Sequence, residues 1–195
     1  DLRMSRGLGD VYKRQTCSFC NQRTISGAKD MPYAEDVKRI CTQALNEVSD
    51  LSNSEIAFFG GSFTAIERRY MIELLESAYE FVGFGKFKGI RISTRPDCID
   101  EEILDILRRY GVTAIELGAQ SMRNHVLKAN ERGHTAEDVY RASELIKKHG
   151  FELGLQIMTG LYRSTYADDL KTMYRVIKIL SLIHISEPTR HAQIS

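Results

Sequence analysis

A chain of 195 residues, 43% hydrophobic and 27% charged, is long enough for one compact domain with its own core and is neither disordered nor fibrous in composition. Its formal net charge of +1 provides no global field for gathering nucleic acid or an anionic membrane, so an RNA contact would need a local patch or another domain. No apolar run approaches the roughly 20 residues of a bilayer span and no signal-peptide core opens the chain, which predicts a cytoplasmic protein with no membrane partner. Of four cysteines only Cys17 and Cys20 lie close together, which excludes a disulfide framework.

Between residues 33 and 180, short apolar runs alternate with amphipathic stretches, the pattern of an α/β chain with parallel strands. Val37, Ile40, Cys41, Ala44, Leu45 and Val48 recur at the three-and-four spacing of one buried helical face, so Cys41 is read as a core residue. Residues 56–59 form an apolar strand ending in Gly60 and Gly61, and a second helix places Met71, Leu74, Leu75, Ala78 and Val82 on one side. The unit then repeats. Residues 90–94 read as a strand broken by Pro96, and Asp100 with Glu101 and Glu102 supplies the cap and acidic first turn of a helix that stops at Gly111. Residues 114–120 are the next strand, and Thr135 with Asp138 resembles a capping box opening a helix that ends at Gly150. A strand over 152–158 and a helix near 168–180 complete the pattern.

The phase of the strands bears on architecture. Strands covered on both faces are almost uniformly apolar. Here Arg91 and Ser93 alternate with Ile90 and Ile92; Glu116, Gly118 and Gln120 alternate with Ile115, Leu117 and Ala119; Glu152, Gly154 and Gln156 alternate with Leu153, Leu155 and Ile157. One side of each strand is polar and is expected to face a shared interior holding a polar ligand. A partial or full parallel β/α barrel fits this pattern, with a flavodoxin-like sheet carrying tolerated polar positions as the alternative. Residues 1–15 and 181–195 continue no neighbouring periodicity and resemble translated sequencing-adapter read-through. They are expected to be non-native tails around an incomplete core of residues 16–180.

Five segments carry the chemistry. The first is Cys17-Ser18-Phe19-Cys20-Asn21-Gln22. Taken alone, its C-x-x-C pair is weak: structural zinc usually takes four ligands and no second pair is present, while a thioredoxin-like dithiol sits at the start of a helix directly after a strand. The others are Phe58-Phe59-Gly60-Gly61-Ser62-Phe63-Thr64, Ser93-Thr94-Arg95-Pro96-Asp97, Glu116-Leu117-Gly118-Ala119-Gln120-Ser121 and Asn130-Glu131-Arg132-Gly133-His134-Thr135. Together and in this order they resemble the radical S-adenosylmethionine (radical SAM) superfamily, in the branch around the Elongator catalytic subunit. Oxygen-independent coproporphyrinogen oxidases are similar in the fourth-strand region but differ at the first segment.

The resemblance implies an α/β fold, a partial (β/α)6 TIM-like barrel of parallel strands truncated at both ends, with the first and sixth strands missing and sheet edges and apolar helix faces left uncovered. It implies one [4Fe-4S] cluster held by the pattern C-x-x-x-C-x-x-C, of which Cys17 and Cys20 match the last two metal ligands; Lys13 stands where the first cysteine belongs. It implies S-adenosylmethionine as second cofactor, with Gly60, Gly61 and Ser62 at its methionyl amine, Ser93 and Gln120 as further polar contacts, Arg132 at its carboxylate and Gln156 at its ribose. Arg95 is equally well a solvated loop charge, His134 receives no role, and no catalytic acid or base is assigned. The family's Gly-Leu-Pro-Gly-acid-Thr turn after the fifth strand is replaced by Gly160-Leu161-Tyr162-Arg163-Ser164-Thr165, without the proline or the acid. The implied activity is reductive cleavage of S-adenosylmethionine to a 5'-deoxyadenosyl radical that attacks an unidentified substrate, with tRNA a candidate by analogy and a flavodoxin or ferredoxin as electron donor. The chain as written is expected to be inactive for want of the first cysteine. A non-catalytic zinc or redox module built on Cys17 and Cys20 is the alternative.

Overall fold

In the computed structural model, which describes residues 3–4, 33–59 and 61–181, the apolar runs read above become strands and the amphipathic stretches become helices. The strands are β1 (Arg3–Met4), β2 (Glu55–Phe58), β3 (Gly89–Thr94), β4 (Val112–Gln120) and β5 (Glu152–Ile157). The helices are α1 (Ala34–Glu47), α2 (Arg68–Tyr79), α3 (Glu101–Arg109), α4 (Asn124–Ala129), α5 (Ala136–Lys148) and α6 (Tyr166–Ser181). Their starts follow local capping chemistry. The Asp100 carboxylate accepts from the Ile103 amide at 2.8 Å to open α3, and Thr135 and Asp138 form the expected reciprocal box at the start of α5. Helix α4 escapes a reading by periodicity because six residues give fewer than two turns; Val126 and Leu127 nevertheless bury it.

All strand pairs are parallel and the sheet order is β1-β2-β3-β4-β5, each strand beside its neighbour in sequence. A doubly wound sheet reverses order at a switch point, and this one does not. The flavodoxin-like alternative is thereby set aside in favour of a barrel-type sheet. The structure also corrects the expected absence of a first strand. Arg3–Met4 pair in parallel with Ala57 and Phe58, a pairing that backbone groups alone can make and that two residues cannot announce by periodicity. The remainder of the expected tails, residues 1–2, 5–15 and 182–195, lies outside the described residues.

The helices supply one apolar layer. Val37, Cys41, Met71, Leu74, Leu104 and Ile146 close over the sheet face formed by Ile56, Phe58, Ile90, Ile92, Ile115 and Leu117, and all twelve are at most 4% exposed. Burying a side chain of this size contributes about 1.5–3 kcal/mol, so this face drives folding and leaves the opposite face to polar residues. Helix α6 is covered on one side only: Val176 and Ile179 are buried while Tyr166, Leu170, Tyr174 and Ile177 are exposed, an uncovered apolar face of the kind expected. No helix among the described residues is long and apolar enough to cross a membrane.

Candidate functional site

The polar face is organised from β4, which presents Glu116, Gly118 and Gln120 as it leaves the sheet. A β-carbon on Gly118 would lie 3.1 Å from Gln120 Nε2 and 3.5 Å from Arg132 Nη2. The glycine leaves room for these two groups to converge, since a β-carbon would press on the Gln120 amide. Arg132 arrives from the α4–α5 loop, where Glu131 at φ 56° turns the chain and the Arg132 amide donates to the Leu127 carbonyl at 2.9 Å. Its Nη2 then donates to the Gly118 carbonyl at 3.1 Å. Two residues named from the sequence on separate segments, Gln120 and Arg132, are thus brought together.

Gln120 itself is held in left-handed backbone at φ 60°, a conformation that side chains other than glycine rarely adopt. Three hydrogen bonds secure it. The Met158 amide donates to the Gln120 carbonyl at 2.9 Å, and the Ala119 carbonyl accepts both the Ser121 amide at 2.7 Å and His134 Nε2 at 3.1 Å. His134, left without a role by the sequence, is 3% exposed, and burial pushes its imidazole below the ordinary value of 6.5. It is therefore neutral near pH 7, with the hydrogen on Nε2 where the carbonyl needs it.

This shift has a sign that can be checked. Because the folded value lies below the unfolded one, the unfolded chain binds the extra proton first, and stability present above pH 6.5 falls as pH drops through and below it. Urea unfolding at steps between pH 7.5 and pH 5.5 (about one pH unit either side of the imidazole's ordinary value) is expected to show this loss, and His134→Gln, which keeps an N–H donor, is expected to flatten it. An equal slope in both proteins would contradict the assignment.

The ends of β2 and β3 are joined by residues the sequence reading did not single out. Phe63 is buried and stacks on Phe58 with ring centroids 4.8 Å apart, seating the loop that carries Gly61 and Ser62. Thr64 Oγ1 lies 2.6 Å from the buried Thr94 hydroxyl and donates to the Cys98 carbonyl at 2.7 Å. Gly61 and Ser62 are half-buried at this junction, whereas Gly60 lies outside the described residues. Ser93 faces the same side as Glu116, its register partner across β3 and β4. Arg95 is engaged by Asp97, Nε donating to Oδ1 at 2.9 Å.

Below these residues a charge network forms the floor of the polar face. Arg91 reaches Glu55 at 2.8 Å, Glu152 at 2.8 Å and Glu116 at 3.5 Å, and Thr113 Oγ1 donates to Glu55 at 2.7 Å. Gln156 stands at the rim on β5, where its Nε2 donates to Glu116 Oε2 at 2.6 Å. Gln156 is thus on the face predicted for it, with a carboxylate partner that alternation alone could not reveal.

The divergent turn after β5 is held by acids from the following helix. Asp169 accepts from the Gly160 amide at 2.9 Å and the Ser164 hydroxyl at 2.5 Å, and Asp168 accepts from the Thr165 hydroxyl at 2.7 Å and Arg123 Nε at 2.8 Å. The Thr165 hydroxyl first, with Arg123 beside it, holds the Asp168 carboxyl well below the usual carboxylate range. Asn130 joins this turn to α4, donating to the Val126 and Tyr162 carbonyls at 2.8 and 2.9 Å. The acid absent from the turn itself is supplied from the first turn of α6.

The donors for the two implied groups differ in fit. A guanidinium and a primary amide side by side at a strand end suit the carboxylate and polar groups of an amino-acid-bearing nucleoside, so the residues here fit S-adenosylmethionine. The cubane is another matter. Cys17 and Cys20 lie outside the described residues, and no cysteine occupies the first position of the motif, where Lys13 stands. Burial pushes the Cys41 thiol up to about 12 and raises that of Cys98, so neither is a ready thiolate. No group of three metal-binding side chains occurs among the described residues. The donor set of this chain does not fit a three-thiolate [4Fe-4S] cluster.

Comparison with known proteins agrees with the geometry. The profile described as the Radical SAM superfamily matches residues 14–176. The chain is 32% identical over 192 residues to an uncharacterized protein of Methanocaldococcus jannaschii, an alignment covering 92% of this chain and 56% of that protein. It is 30% identical over 164 residues to the tRNA uridine(34) acetyltransferase of Methanocaldococcus infernus, covering 75% of this chain and 30% of the relative. Among solved structures, Methanocaldococcus infernus Elp3 with an N-terminal deletion superposes with a TM-score of 0.62 at 24% identity, over 74% of this chain and 38% of that one. That likeness bears on the fold, and it is to a TIM-like barrel core. The chain spans about half or less of the length of these relatives. With its strand order, its polar face and a profile match over most of its length, the chain belongs to the Radical SAM superfamily.

Proposed function

We propose that this chain is the S-adenosylmethionine-binding core of a radical SAM enzyme that modifies tRNA. The convergence of Gln120 and Arg132 over Gly118 carries the proposal. Arg132 binds the methionyl carboxylate, Gln120 and Ser93 contact the cofactor's polar groups, Gly61 and Ser62 approach its amine, and Gln156 takes its ribose. The half-buried placement of Ser93, Gln120 and Arg132 partly excludes water and strengthens such contacts. When bound beside a redox cluster, S-adenosylmethionine supplies a carbon-centred radical; that chemistry requires a form of the chain with three thiolates, and a flavodoxin or ferredoxin as donor. A tRNA substrate is supported by a relative named for action on tRNA uridine 34. The family match includes the Cys17 and Cys20 segment and continues through the strands, which favours the cluster-loop reading of the pair over an isolated zinc or redox module.

Equilibrium dialysis of the full chain with labelled S-adenosylmethionine tests the site. Arg132→Lys keeps the charge but loses the planar fork, and is expected to weaken binding by about tenfold. Undiminished binding by Arg132→Lys and Arg132→Ala together would sink the proposed site.

A further inference from the structure

Glu116 reaches Gln156 by crossing a gap left in β5. The register sets Glu116 opposite Gly154, and a β-carbon on Gly154 would lie 3.0 Å from Glu116 Cγ and 3.5 Å from Cδ. The glutamate side chain therefore lies across the glycine and ends beside the residue two places further along the strand. There its Oε2 takes the Gln156 amide nitrogen at 2.6 Å, while Oε1 lies 3.5 Å from Arg91 Nη1. A carboxylate only accepts hydrogen bonds, so the amide nitrogen, not the oxygen, must face it. Arg91 is fixed in turn by Glu55 and Glu152, so the glutamate is braced from below.

We propose that Glu116 is a positioning residue that sets the orientation of the Gln156 amide, committing its nitrogen to the floor network and leaving its carbonyl oxygen to accept from a hydroxyl of the bound nucleoside. This rests on the assignment of the strand ends as the S-adenosylmethionine site. An unrestrained glutamine could present either end of its amide; a restrained one selects a ligand that donates. The space at Gly154 is part of the device, since any side chain there would displace the Glu116 stem.

Two measurements on the full chain separate this proposal from the assignment beneath it. The side-chain amide of Gln156, identified in nitrogen-15 spectra by its loss in Gln156→Ala, is expected to be displaced from the solvent-exposed position and to return toward it in Glu116→Gln and in Gly154→Ala. A Gln156 signal already at the exposed position and unmoved by both substitutions would overturn the proposal. In equilibrium dialysis with S-adenosylmethionine, Glu116→Gln and Gln156→Ala are each expected to weaken binding by about fivefold, and the double variant to be no weaker than Gln156→Ala alone. Independent, multiplying losses would show that Glu116 does not act through Gln156. A displaced Gln156 signal in the unchanged chain together with undiminished binding by Gln156→Ala would take Gln156 out of the ligand site and overturn this proposal, while the functional assignment, carried by Gln120 and Arg132, stands or falls with the Arg132 variants.

Discussion

Arg91→Met is expected to lower the unfolding free energy by about 2–3 kcal/mol, the larger part of it from charges left without a counterpart. The substitution keeps much of the apolar stem and deletes the guanidinium that three carboxylates share. The side chains of Arg91, Glu55 and Glu116 are 22%, 13% and 23% exposed, so water compensates only in part. Breaking a fully buried ion pair costs about 3–5 kcal/mol, and the partial exposure here scales the expectation down. Urea unfolding measures it. Adding Glu116→Gln to Arg91→Met is expected to recover part of the loss, because one of the mutually repelling carboxylates is gone. A loss under about 0.5 kcal/mol, the range of an unremarkable surface substitution, would mean that the network is not a stabilising floor.

Lys13→Cys is expected to have the largest effect on composition. Anaerobic reconstitution with iron and sulfide should leave the unchanged chain with little cubane absorption, because Cys17 and Cys20 supply two thiolates where the cluster takes three from the protein. With a cysteine four residues before Cys17, the full C-x-x-x-C-x-x-C spacing exists, and uptake approaching one cluster per chain is expected. Cys41→Ser and Cys98→Ser serve as controls, since raised thiol values and structural positions keep those residues out of the ligand set. A fully occupied cluster on the unchanged chain, or none on Lys13→Cys, would contradict the resemblance that assigns the loop.

Much of this fold was legible because it rests on repeated physical signals. The alternation of Arg91 and Ser93 with Ile90 and Ile92 correctly gave the side of β3 that faces the helices, and the same held for β4 and β5. Asp100 and Thr135 marked helix starts through their own hydrogen bonds. Periodicity reports which face a residue occupies and not which partner it finds there. Hence Glu116 and Arg91 were visible as polar, but neither the ion pair nor the amide contact to Gln156 was. The left-handed backbone of Gln120 was hidden for a different reason: nothing in a glutamine announces that conformation, which here is held by the hydrogen bonds that His134 and Met158, from distant segments, make to the Ala119 and Gln120 carbonyls. Thr64 and Thr94 belong to motifs that were noticed for their glycines and arginine, and their mutual hydrogen bond needed two strand ends in space.

Because every strand lies beside its predecessor in the chain, no single β/α repeat owns the proposed cofactor pocket. The loop carrying Gly61 and Ser62 follows β2, Ser93 lies on β3, Gln120 on β4, Arg132 just before α5 and Gln156 on β5. On the proposed assignment, a nascent chain that has docked only its first repeats would possess a partial core but no competent receptor, so ligand capture would wait until β5 has been laid down, and occupancy would in turn favour the docked state of all these strands.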